Sequence, residues 1–224
     1  MLNDVQVERY SRQIILPEIG ARGQERLLSA TVALVTSEPK YLLEYLAAAG
    51  VGHITVATSA NRSSIDDIAD LNPDCRIEAQ PSPTSYDDWI AAAPPVAVLL
   101  QTDNDIESAA LSSACIRAGK PFLWGRTAGT KAYMALFDPT LARGCYACTD
   151  MRRRVTLAEP AVRHPLAASL LASLQAAETV KLLLERSSAL HGQGLVIDAA
   201  TASIDRLPFE SATACSDCGG GWQS

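Results

Sequence analysis

Four of the six cysteines in this 224-residue chain fall in two pairs, Cys145-Tyr-Ala-Cys148 and Cys215-Ser-Asp-Cys218. Each CxxC pair offers two sulfurs from one tight turn, and two such pairs complete a tetrahedral thiolate site for zinc. The interval between the pairs is far longer than in a zinc finger, so the site would staple the C-terminal tail to a distant loop. A closed four-sulfur site of this kind is architectural and not catalytic. Disulfides are the competing reading, disfavoured in a cytosolic chain; a redox CxxC would not need a second pair. Cys75 and Cys115 stand alone and read as small buried hydrophobes.

A second stretch has the framework of a nucleotide site. Residues 32–58 read strand, helix, strand: an apolar run Val32 to Thr36, Leu42, Leu43, Leu46 and Ala49 at helical spacing within 39–49, and a second run from Gly52 to Ala57. A βαβ unit commonly holds phosphates at its first strand-to-helix turn, where glycines let the backbone approach them at the helix N-terminus. Here that turn is Thr36-Ser37-Glu38-Pro39-Lys40, without a glycine.

Composition sets the class. A hydrophobic share of 48% is enough for a sizeable core, and the net charge of −6 argues against nucleic-acid binding. The N-terminus has neither a basic nor an apolar leader segment, and the long apolar run 166–184 carries Gln175, Glu178 and Lys181, as a core helix does and a membrane span does not. The expectation is a cytoplasmic α/β protein with no membrane partner.

Residues 5–29 read as a short helix, a Pro-Gly break and a second helix. Within them Arg9-Tyr10-Ser11-Arg12-Gln13-Ile14, Leu16-Pro-Glu-Ile-Gly20 and Gly23-Gln24 resemble the opening of the ThiF/MoeB/HesA family, prokaryotic relatives of ubiquitin-activating enzymes. The resemblance continues through Leu46 to Val56, Leu71-Asn72-Pro73 with Arg76 to Ala79, Thr102-Asp103-Asn104 after the apolar strand 96–100, and Cys115 to Pro121. It ends with Leu136 to Pro139, the two CxxC pairs and Ser173 to Leu183. These motifs run in the family's order from about residue 8 to residue 219.

The resemblance implies a Rossmann-like, mostly parallel sheet flanked by helices, with a mixed or antiparallel C-terminal extension and a four-cysteine zinc site. It implies one domain over 1–224, made of a helical arm (5–29), a Rossmann-like core (32–129) and a zinc-stapled C-terminal part (130–224), usually dimeric. It also implies an activity, adenylation by MgATP of the C-terminal glycine carboxylate of a small ubiquitin-like sulfur carrier. Arg12 matches an arginine extended across the dimer interface toward the partner's ATP; an ordinary surface ion pair is the alternative. Asp103 matches the carboxylate assigned to Mg²⁺, or caps the helix 104–118; Asn104 carries the same two readings. Arg126, on the strand 122–129, aligns near the substrate cleft without being a motif residue.

The departures concern the phosphate site. Glu38 and Tyr41 stand where backbone must meet phosphate, and the turn is shortened by roughly two residues against the dinucleotide-type loop. The family's ribose acid, its Arg-Gln pair and its lysine have no counterparts between Ala57 and Leu71; Lys40 and Arg62 are the candidate substitutes. No cysteine lies between Cys148 and Pro165 to accept an acyl group, and Arg152-Arg153-Arg154 stands there instead. Two functions fit. The first is a pseudo-enzyme or partner subunit, doubtful as a MgATP binder, that pairs with a carrier protein or lends Arg12 to an intact relative in a homo- or heterodimer. The second is an active adenylyltransferase with a rebuilt loop.

Overall fold

The computed structural model describes residues 1–58, 65, 68, 70–92, 97–102, 104–140, 144–149, 164–190, 192–209 and 215–218. Their strands form one eight-stranded sheet. In chain order the elements are α1 (Asp4–Arg9), α2 (Ser11–Ile14), α3 (Gly20–Ser29), β1 (Thr31–Thr36), α4 (Lys40–Ala49), β2 (His53–Ala57) and β3 (Arg76–Gln80). There follow α5 (Tyr86–Ala92), β4 (Ala97–Gln101), α6 (Asp105–Arg117), β5 (Phe122–Ala128), β6 (Lys131–Phe137), α7 (Pro165–Leu183), β7 (Gln193–Asp198) and β8 (Ser203–Pro208).

The spatial order is β3-β2-β1-β4-β5-β6-β7-β8. The pairs from β3 to β5 are parallel, and those from β5 to β8 are antiparallel. This is the Rossmann-like sheet with an antiparallel C-terminal extension that the motifs imply. The chain leaves β1 toward β2 on one side and returns to β4 on the other, which creates a crevice at the strand C-termini where α/β folds hold ligands.

β1 separates two apolar layers. Val32 and Leu34 pack with Leu42, Leu43 and Leu46 of α4 and with Leu171 and Leu183 of α7. Ala33 and Val35 face the other way, toward Leu111, Phe122, Trp124 and Tyr146. Leu42, Leu43 and Leu46 are fully buried, each worth roughly 1.5–3 kcal/mol of transfer free energy. α7 is long and apolar enough to cross a membrane, yet it lies against the sheet with Leu171, Gln175 and Thr179 buried. At Gly125 on β5 an added Cβ would stand 2.7 Å from Gln175 Nε2, so the helix rests on the strand's bare backbone.

The N-terminal arm differs from the expectation of one helix before the break: α1 and α2 are separate, divided at Tyr10. The tyrosine ring is buried, and its hydroxyl donates to Asp74 Oδ2 (3.1 Å) while accepting from Asn72 Nδ2 (2.8 Å). The same Asn72 amide donates to the Ala47 carbonyl (2.7 Å) at the end of α4. Arg9 and Gln6 also bind Asp74. α4 ends at Gly50, at φ +83°, against Tyr10 and Gln24, and a Cβ at Gly52 would meet the Leu28 carbonyl at 1.8 Å. Arm, helix end and the 71–75 turn therefore lock as one unit.

Desolvation raises the Asp74 pKa, but hydrogen bonds from Gln6, Tyr10 and Arg9 outweigh it and hold the group below its ordinary value of 3.8. A depressed carboxylate stabilises the fold above its unfolded pKa, and that contribution fades as pH falls through the folded value. Asp74→Asn is expected to cost about 1–2 kcal/mol at pH 7. Urea denaturation should show the wild-type and variant stabilities converging below pH 3.8.

Candidate functional site

Thr36 of β1, Gln101 of β4 and Arg126 of β5 stand at adjacent strand ends, and with Thr102 they line a cleft at the crevice between β1 and β4. Glu38 of the β1–α4 turn, Tyr41 of α4 and Leu171 of α7 line it as well. The free space is about 30 Å³, room for a few waters.

The turn offers few donors to an anion. α4 starts without a side-chain cap, after a buried Pro39 in the αR conformation, a residue that has no N–H to offer an anion. The Glu38 amide donates to Thr36 Oγ1 (3.0 Å), so another potential phosphate donor is spent locally. Glu38 itself lines the cleft and brings a carboxylate to it. Lys40 begins α4 on the exposed surface and is not among the cleft-lining residues.

The other candidates are dispersed. Asp103, Arg62 and the cluster 152–154 lie outside the described residues. The cap of α6 is Asn104, whose Oδ1 accepts from the Ile106 and Glu107 amides (3.0 and 3.3 Å); of the two residues read as caps, this one takes the role. Arg12 is exposed on α2 and pairs with no carboxylate among the described residues.

One polar cluster was not visible in the sequence. Asp105 Oδ1 accepts from the Tyr146 hydroxyl (2.8 Å) and lies 3.3 Å from Arg126 Nη1. Thr102 and Tyr86 both donate to Glu107 (2.7 and 2.6 Å), two residues further along α6. Burial, followed by the acidic neighbours, pushes both tyrosine pKa values up, so the hydroxyls remain donors. Asp105 is separated by 21 positions from Arg126 and by 41 from Tyr146, spacings that no local periodicity marks.

The cysteine pairs do converge. Cys145 Sγ lies 3.7 Å from Cys215 Sγ, and Cys148 Sγ lies 3.5 Å from Cys218 Sγ; all four sulfurs fall within 4.8 Å of one another. Disulfide sulfurs would be roughly 2.05 Å apart. A metal bound tetrahedrally at about 2.3 Å holds its sulfurs about 3.8 Å apart, close to the spacing observed. The donor set thus fits a metal ion. The hydrogen bond between Cys145 and Cys148 lowers the Cys148 pKa and raises that of Cys145, so the first thiolate of this pair forms at Cys148. Tyr146 N donates to the buried Ser112 Oγ (3.1 Å) and Ser113 to Asp217, fixing both knuckles to α6.

The profile of the ThiF family matches residues 61–218. The sulfur carrier protein adenylyltransferase of Thermus thermophilus is 28% identical over 247 aligned residues, covering 96% of this chain and 91% of that protein. The sulfur carrier protein ThiS adenylyltransferase of Escherichia coli is 26% identical over 251, with 98% of each covered. Both alignments exceed the chain's own 224 residues, so this chain carries deletions relative to those proteins. E. coli MccB with ATP shares the fold, with a TM-score of 0.75 and 19% identity over 97% of this chain and 75% of that one.

Cys148→Ser is expected to abolish metal binding, read by elemental analysis of the purified protein, and to lower Tm on the order of 10 °C. Cys115→Ser, at a buried thiol outside the cluster, should leave metal content unchanged.

Proposed function

The chain belongs to the ThiF family, and we propose that within it this protein is a pseudo-enzyme: a partner subunit that keeps the family scaffold and has lost the ATP loop. The observation that carries the reading is the β1–α4 turn, where Pro39, the Thr36–Glu38 bond and the Glu38 carboxylate replace a phosphate cradle. A nucleotide needs several hundred Å³ and a set of free donors. The cleft has about 30 Å³, and Tyr41 stands at its wall.

In this reading the cysteine cluster holds a structural zinc, the metal that suits a closed four-thiolate site. It staples residues 215–218 to α6. Its partner is a small ubiquitin-like carrier protein or an intact relative, in a homo- or heterodimer in the cytoplasm, to which the exposed Arg12 is available. The single-domain division into arm, core and stapled C-terminal part is part of the same proposal.

One finding favours a second reading. The relatives that match nearly the whole chain are described as adenylyltransferases, so an active enzyme that adenylates a carrier's C-terminal carboxylate, using Lys40, Arg62, Asp103 or Asn104 around a rebuilt loop, is the alternative.

Calorimetric titration of MgATP into metal-loaded protein separates the two. The pseudo-enzyme should give no saturable heat up to millimolar nucleotide and no ATP–pyrophosphate exchange with a glycine-terminated carrier. Saturable binding that Asp103→Ala weakens at least tenfold would overturn that reading in favour of the active enzyme.

A further inference from the structure

Tyr146 occupies an unusual position, because it lies inside the first cysteine knuckle and also reaches the cleft. Its backbone is confined to the 3-10 turn between Cys145 and Cys148, with its amide held by Ser112. Its ring is buried and packs against Trp124 at 5.2 Å between centroids. Its hydroxyl shares a single oxygen, Asp105 Oδ1, with Arg126 of the cleft.

We propose that Tyr146 is a positioning residue that couples metal occupancy of the cysteine cluster to the placement of Arg126 in the cleft. The physical path is short. The metal fixes the sulfurs of Cys145 and Cys148, and those fix the turn that carries Tyr146. The tyrosine hydroxyl then orients Asp105, whose same oxygen meets the Arg126 guanidinium. A carboxylate oxygen that loses one of the two donors it shares shifts toward the other, and the contact with the guanidinium changes with it. Arg126 and Asp105 are both only partly exposed, at 16% and 23%, so water screens this contact weakly. The cleft arginine that a ligand or protein partner would meet is therefore set by an ion held where the knuckles meet Ser112 and Ser113 of α6.

The proposal rests on the cluster holding a metal, and elemental analysis of each sample tests that premise separately. The test reads the Arg126 side-chain Nε–H resonance in ¹⁵N spectra, assigned by its loss in Arg126→Lys. In the wild type, stripping the metal should shift this resonance. In Tyr146→Phe, which keeps the ring and the metal, the resonance should already be shifted with the metal bound and should not respond to stripping. Asp105→Asn should shift it as well, and the double variant should add nothing further. If chelation melts the fold, replacing the metal with the larger cadmium ion applies the same test to a filled site. A resonance that ignores the metal, or that responds equally in wild type and Tyr146→Phe, would overturn the coupling.

Discussion

The central parallel strand must be apolar on both faces. From Val32 to Thr36 every residue of β1 is buried, with alternate side chains feeding separate cores. A strand between two parallel neighbours has no polar face to present, and a helix must cover each side of it. α4 and α7 cover one side, while α6 and the first cysteine knuckle close the other. The order of strands around β1 follows from that requirement, and so does the crevice between β1 and β4.

None of this depends on the turn after β1. The folding energy lies in Leu42, Leu43, Leu46 and their neighbours, while the turn needs only to connect a strand to a helix. A glycine-rich loop serves a phosphate, and its open backbone costs conformational entropy on folding. A proline with fixed φ and a local Thr36–Glu38 bond make a connection of lower entropic cost. The fold thus does not require a glycine at this turn.

The fold was legible because its signals are local or ordered along the chain. The apolar runs marked β1, β2 and β4, the helical spacing of Leu42, Leu43 and Leu46 marked α4, and the paired cysteines marked a site whose sulfurs do converge. The separation of α1 from α2 was not legible, since it arises from the burial of Tyr10 against residues more than 60 positions away. The Asp105–Tyr146–Arg126 cluster was hidden for the same reason. Its members are charged or polar residues on three elements, and only the sheet and α6 bring them together. Lys40 is a candidate phosphate ligand because it follows the turn in sequence; it begins α4 on the exposed surface, outside the residues that line the cleft.

The family motifs divide by the work they do. Tyr10 and Asn72 belong to the resemblance, and both are committed to the lock that joins the arm, α4 and the 71–75 turn. Gly50 and Gly52 belong to it too, and each lies where a side chain would collide with that lock. The cysteines hold the tail to α6. These residues would be retained under selection for folding alone, because each loss leaves a buried polar group without its partner or forces backbone apart. The phosphate-site residues carry no such structural penalty and can be replaced one by one. A chain can therefore keep its family's architecture while the turn between β1 and α4 carries no glycine. Retained motifs are then evidence of architecture, and activity has to be judged at the turn between β1 and α4.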